Sequence, residues 1–489
     1  MFSSKYVCSS DIQTPCRSCS RDWNESKLSK EHKLDPYSQT IARFLRDLRL
    51  ADVPASVVDK AKLVLLDTVG VALASSTMDF GAMVTKVAQE LGGPPDSRII
   101  GSSSKVAAAN AVLANGTLAH GLDYDDTLEE AIVHTGCCAG MTALAVGEQV
   151  RADSASILEA AIAGTEVMCK VGLVAPGKFH ARGFHPTALC STFGAAAAAG
   201  KLYRLELPQW TDAFGLCGSQ SSGIIEYLAD GTWTKRLHPG WSAHGGVIAT
   251  LLARQGFRGP ARVFEGTNGF FSSFGGPNEY PFEKLLELGR NWETPKLTFK
   301  SYPCGSISHP YMDCALKLKQ KYSPAVEKIV EVVCRTAQGP VHRLWEPLAD
   351  KQQPVSSYGA KFSLPYCIAT MLIRGRAGLE EFTDEAIQDP SVLALAKKVR
   401  YELDPTIDYP RHFSGHVKIC LADGSVLEEN QAHPRGGFED PLPPEEIEAK
   451  FRANAALRLP PKRADQIIAA VARLEELPNI ASLTDLLNP

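Results

Sequence analysis

Apolar positions along most of this chain recur at the three- and four-residue spacing of a buried helical face. Ile41, Phe44, Leu45 and Leu48 share one stripe, with Arg43, Arg46 and Asp47 turned mostly outward. Pro54 opens a second helix, whose stripe of Val57, Val58, Ala61, Val64 and Leu65 runs into the small residues of DTVGVALASS. Further helices are predicted over 105–115, 130–150, 154–171, 187–202, 208–221 and 242–255. Alternation with period two is not sustained anywhere in this part of the chain.

The pattern changes after Trp292. LTFKSYPCG reads as a strand entering a loop. The Val- and Ile-rich segment 325–335 reads as a strand, as does 415–421 before the turn Asp423-Gly424. Helices are predicted between them at 309–322 and 362–374, and from Pro441 the helical period returns. The expected fold is mainly α, a large all-helical domain with a smaller α+β lid. Its boundaries are predicted as an N-terminal extension over 1–36, helical domain over 37–294, lid over 295–430 and a return to the helical domain over 431–489. Ligand sites favour such junctions.

Composition narrows the function classes. With 22% charged residues, a net charge of -4 and pI near 6.3, the chain has no electrostatic footprint for nucleic acid. The uncharged runs 106–122 and 183–200 contain Asn, Thr, His and Pro, which fits buried helices better than a membrane span. The 13 cysteines are scattered, many in apolar contexts, as expected of a reducing compartment. The expected location is cytoplasmic; a mitochondrial presequence is opposed by Asp11, Asp22 and Glu25. Cys16 and Cys19 form a CxxC with Cys8 nearby, but only His32 follows as a fourth ligand, so a polar tail is the simpler reading.

Nucleotide-phosphate loops, a GxSxG elbow and HExxH are all absent. The densest chemistry lies in GLDYDDTLEEAIVHTG, which carries Asp123, Asp125, Asp126, Thr127 and His134. Clustered carboxylates bind a metal, shift a carboxylate pKa or anchor cations from elsewhere. A calcium loop is excluded because its later Gly and Glu are missing; magnesium remains open at this stage. Downstream come GFHP with His185, TKRLHP with Lys235, Arg236 and His238, YPCGSISHP with His309, and KFSLPY with Tyr366. Singly these are helix caps or solvated corners. Together, cations and histidines at helix starts suit a substrate with several carboxylates.

In their order these motifs resemble the MmgE/PrpD family, from about Tyr37 to the C-terminus. That family includes cis-aconitate decarboxylase, 2-methylcitrate dehydratase and an iminodisuccinate epimerase. The resemblance implies a homodimer, a site between helical domain and lid, a small carboxylic acid as partner and, for the decarboxylase branch, neither metal nor organic cofactor. It carries site roles onto Asp123, Thr127, His134, His185, Lys235 and Tyr366. His134 is expected to donate the proton, Asp123 to orient a histidine, Thr127 to bond the substrate and Tyr366 to complete the site. His185 and Lys235, with Arg236 and His309, are expected to bind carboxylates. The chain departs from the decarboxylase pattern in a loop one residue longer, with Leu-Glu-Glu where that pattern has a further His. It does not match the Trp-Gly-His-Pro-Ser-Asp-like loop of the bacterial dehydratases. Decarboxylation is therefore favoured; dehydration of 2-methylcitrate or an alkylcitrate, epimerisation, and a non-catalytic scaffold or sensor are the alternatives.

Overall fold

Two hydrophobic cores organise the computed structural model, which describes residues 35–489. The CxxC and nearly all of the predicted N-terminal extension lie outside the described residues. The larger core gathers buried side chains from Ile41 to Phe299 and again from Ile447 to Leu487. The smaller draws on Tyr302 to Ile419. The fold is mainly α, with 58% helix against 8% strand. Most of the strand lies in the smaller core.

In the larger core, helices Ala55–Ser75, Ala108–His120, Ser154–Leu173, Pro186–Tyr203 and Thr234–Arg254 pack against one another. Their apolar faces are wide because alanine and glycine dominate, which lets backbones approach closely. At the crossing of Ala108–His120 with Thr234–Arg254, a Cβ on Gly116 would stand 2.7 Å from the Gly240 Cα. That crossing fixes the end of one helix, at His120, near the start of the other, at Lys235. Helices Pro444–Ala455 and Pro461–Ala472 then close over Ala55–Ser75.

The smaller core is a four-stranded sheet ordered Val399–Leu403, Ile329–Thr336, Gly415–Leu421, Val426–Gln431. The first pair is parallel and the others antiparallel. Helices His309–Tyr322 and Leu364–Arg374 cover it.

Several predicted elements move. The helix expected over 130–150 becomes a π-turn Gly136–Gly140 leading into Met141–Val150. Leu128 pairs with Val133 instead, and the Asp126 carboxylate takes the Thr135 and Gly136 N–H groups, so the helical segment starts later. The helix expected from residue 242 begins at Thr234, with Pro239 inside its second turn. LTFKSYPCG forms no strand; Thr298 makes a single bridge to Thr127.

Candidate active site

Asp123 lies just beyond the C-terminal end of Ala108–His120, in a left-handed conformation (φ 54) that aspartate tolerates better than most side chains. Its Oδ1 accepts from Lys235 Nζ at 2.5 Å and Lys300 Nζ at 2.8 Å, and its backbone carbonyl accepts from Lys300 at 2.9 Å. All three side chains are buried. Burial alone would raise the Asp123 pKa, but the two ammonium groups hold it well below the usual carboxylate range. Burial lowers Lys235, whereas Asp123 and Asp125 together hold Lys300 above the ordinary lysine value despite its burial. Asp123 Oδ2 has no hydrogen-bond partner. Both ammonium groups meet at one Asp123 oxygen, and all three side chains line a cavity. Behind them, Lys361 donates to the carbonyls of Leu122 and Pro303, and burial brings its pKa down to about 7.

The cavity holds about 60 Å³ of space for water-sized molecules and is partly open to solvent. The larger core contributes Asp123, Ile132, His134, His180, His185 and Lys235 to its lining; Lys300 enters from the connection between the cores. The smaller core brings Arg343, Leu344 and Phe362, and Ser306 and Phe413 come from its loops. Ile132, with φ 54, is a β-branched side chain held in a strained conformation at the cavity wall.

The histidines are neutral by virtue of burial. It pushes His134, His180 and His185 well below the usual histidine range and takes His238 to about 3. The hydrogen-bond network assigns their tautomers. His134 Nδ1–H donates to the Asp126 carbonyl at 2.7 Å and lies 3.0 Å from Thr127 Oγ1, leaving Nε2 as a lone pair. His120 Nδ1–H donates to Asp125 at 2.8 Å, and its Nε2 is buried without a partner. His180 Nδ1 accepts from Arg343 at 2.8 Å. His185 and His238 share one proton between Nδ1 atoms 3.1 Å apart. Nitrogens of His120, His134 and His185 all lie within 4.8 Å of one another, close enough for a transition metal to gather them.

Asp125 and Asp126 face different partners. Asp125, beside His120 and 4.0 Å from His134 Nδ1, is ionised well below the usual range although buried. Asp126 meets only Thr135 and Gly136 donors, and burial beside Asp125 raises it to about 6. Both brace the loop from behind.

Four predicted positions fall elsewhere than expected. Tyr366 does not line the cavity; its hydroxyl donates to the Glu381 carbonyl at 2.6 Å and its ring packs on Phe382. Tyr227 is the tyrosine in the lining. Arg236 points away from Lys235 into Phe80, Trp233 and Tyr358, since successive helical residues face different sides. His309 is buried edge-on against Tyr302, outside the lining. Thr127 stands one contact back, 3.0 Å from Ser306 Oγ, where it positions His134. Asp123 binds lysines where a histidine partner was expected.

Lys300, Arg343, His180 and Ser306 escaped sequence reasoning. Lys300 carried a signal, as a charge set directly after the apolar Phe299.

Models of the MmgE/PrpD N-terminal and C-terminal domains match residues 39–283 and 302–476. The chain belongs to the MmgE/PrpD family. Within the family it is 26% identical to a cis-aconitate decarboxylase of Aspergillus terreus, over 92% of this chain and 95% of the relative. A cis-aconitate decarboxylase of Mus musculus is 27% identical over 93% and 94%. The mitochondrial 2-methylcitrate dehydratase of Yarrowia lipolytica is 24% identical over 89% and 87%. No described helix is long and apolar enough to cross a membrane.

Proposed function

We propose that the protein is a lyase acting on a citrate- or aconitate-type acid, and that its reaction is the decarboxylation of a cis-aconitate-type substrate. The cavity lining carries this reading, because three cationic side chains, Lys235, Lys300 and Arg343, converge there beside the single lining carboxylate of Asp123. Its family relatives named as decarboxylases support it further.

Retained carboxylates bind Lys235, Lys300 and Arg343. The bond to the departing carboxylate breaks, its electron pair shifts through the adjacent double bond, and an alkene carbon takes a proton. Carbon dioxide leaves, with the double bond moved by one position. His134 rests with an Nε2 lone pair, so it must first take a proton from solvent, which reaches it through the partly open cavity. The entering anion raises its proton affinity, and Asp125 stabilises the imidazolium from 4.0 Å. Apolar walls leave the scissile carboxylate poorly solvated. The resting lone pair is also what a dehydratase base requires, and it keeps dehydration as the second reading.

The test is a panel of cis-aconitate, 2-methylcitrate, longer alkylcitrates and iminodisuccinate, with and without a chelator. Products are followed by mass and carbon dioxide is recorded separately. Chelator-resistant release of carbon dioxide is expected. Water loss without carbon dioxide would overturn decarboxylation in favour of the hydro-lyase, and no turnover of any acid would return the protein to a scaffold or sensor.

A further inference from the structure

Three histidines at and behind the cavity wall are held in the same way. His120 Nδ1–H donates to Asp125 at 2.8 Å, His134 Nδ1–H donates to the Asp126 carbonyl at 2.7 Å, and His185 Nδ1 is bonded to His238 Nδ1 at 3.1 Å. In each ring the Nδ1 side is anchored and Nε2 is left over. The Nε2 of His120 is wholly buried and has no partner. Ligand histidines carry this arrangement, because the nitrogen away from the metal is held by a carboxylate or a backbone carbonyl that fixes ring and tautomer. The proton transfer assigned to His134 gives His120 no use for its orphaned lone pair.

The three rings also converge. Their centres are 4.8 Å apart for His120 and His134, 5.8 Å for His120 and His185, and 6.2 Å for His134 and His185. One nitrogen from each lies within 4.8 Å of the other two. A tetrahedral ion with Zn–N bonds of about 2.0–2.1 Å holds its nitrogens about 3.4 Å apart, so shifts of under about 1 Å per ring close the set. His134 and His185 line the cavity, which is open enough to admit an ion from solvent, and His120 completes the set from behind. A second group with ligand spacing, His120, Asp125 and Cys137, is the weaker choice. There Asp125 already accepts from His120, and the Cys137 thiol donates to the His134 carbonyl.

We propose that His120, His134 and His185 form a site for a divalent transition-metal ion such as Zn²⁺, and that the bound ion inhibits turnover by occupying the His134 Nε2 lone pair. An Nε2 bonded to a metal can neither take up nor deliver a proton. The binding stands on the geometry alone, whereas the inhibition rests on the proposed lyase reading.

The test is a Zn²⁺ titration of the full chain against a chromophoric chelator. The chain carries Cys8→Ser, Cys16→Ser and Cys19→Ser, so that its N-terminal thiols take no part. Zinc-edge X-ray absorption of the one-to-one complex should show three imidazoles at about 2.0–2.1 Å and no sulfur at about 2.3 Å. His120→Asn keeps a donor for Asp125 and deletes Nε2. It should weaken Zn²⁺ by more than the roughly 10–100-fold that losing an outer hydrogen bond costs, and should free turnover from inhibition. His433→Ala, in the surface group of His412, His433 and Glu439, should change neither. Saturating Zn²⁺ should abolish turnover of cis-aconitate, and a chelator should restore it.

Fewer than three imidazoles around the zinc, or affinity unaffected by His120→Asn, would overturn the site. If that variant does not fold, the absorption spectrum of the chain with His120 intact decides alone. Three imidazoles with turnover unchanged at saturating Zn²⁺ would overturn the inhibition. If no acid is turned over even without Zn²⁺, the lyase reading and the inhibition fall together, and the spectrum still decides the site.

Discussion

The two walls of the cavity are built on different principles. The larger core presents ionised and hydrogen-bonding groups fixed at helix ends: Asp123 after His120, His185 before Pro186, Lys235 in the first turn of its helix. Nearly every one is held by a buried partner. The smaller core presents Leu344, Phe362 and one guanidinium, Arg343, bonded to His180 and to the Tyr409 hydroxyl. The lesson is a division of labour. On the proposed lyase reading, proton transfer falls to the helical wall, while the wall opposite adds Arg343 and apolar surface around the bound acid.

The largest effect that bears on this division is expected from His134→Ala. It should cost ~10²–10⁴-fold in kcat with little change in thermal stability, because a positioned acid or base contributes that much. Retained turnover would move the chemistry off the helical wall. Asp123→Asn comes next. It strands two buried ammonium groups, so denaturant unfolding should show a loss of roughly 3–5 kcal/mol, as for a broken buried ion pair.

Arg343→Met tests the opposite wall. We expect KM to rise by roughly 10–100-fold, the range for a hydrogen bond to a charged group, with kcat nearly unchanged. A fall in kcat alone would make that wall part of the chemistry. Glu129 lies at the seam, where its carboxylate accepts from Thr298 Oγ1 at 2.6 Å, and burial raises its pKa from 4.5 to about 7. With the folded value raised, its contribution to stability is full below about pH 4.5 and is lost as pH rises through 7. Glu129→Gln should remove that part of the pH dependence, so that the variant gains roughly 3 kcal/mol on wild type between pH 4.5 and 8. The smallest effect is expected from Tyr366→Phe: about 1 kcal/mol of stability from one lost hydrogen bond and no more than about a twofold change in kcat/KM. A large kinetic loss would contradict the placement of that side chain.

Much of the helical wall was legible because its residues announce themselves locally. Asp123, Asp125 and Asp126 stand in four consecutive positions, and His185 and His238 each precede a proline. The helices were legible from their spacing, with boundaries misplaced where a side chain captured backbone donors, as Asp126 does at Thr135 and Gly136. Lys300 and Arg343 were not legible because their meaning is purely tertiary: Lys300 reaches Asp123 across 177 positions and Arg343 reaches His180 across 163. Tyr366 and His309 failed for the converse reason. A local motif carried them toward the site, but the packing of the smaller core turned their side chains onto Glu381, Phe382 and Tyr302. The strand Val426–Gln431 was missed because it is largely polar, and Val399–Leu403 because its alternation of Val399, Tyr401 and Leu403 with charged residues lasts only five positions.

Carbon protonation on the helical wall, coupled to loss of carbon dioxide, is tested most directly by running cis-aconitate or its alkylated form through the enzyme in deuterium oxide. The isolated product is then examined by mass spectrometry and NMR. We expect a product lighter by carbon dioxide, carrying one deuterium at a single carbon in one stereochemical sense, and its formation abolished in His134→Ala. A product that keeps every carbon of the substrate would contradict this chemistry, and so would deuterium distributed equally between both faces.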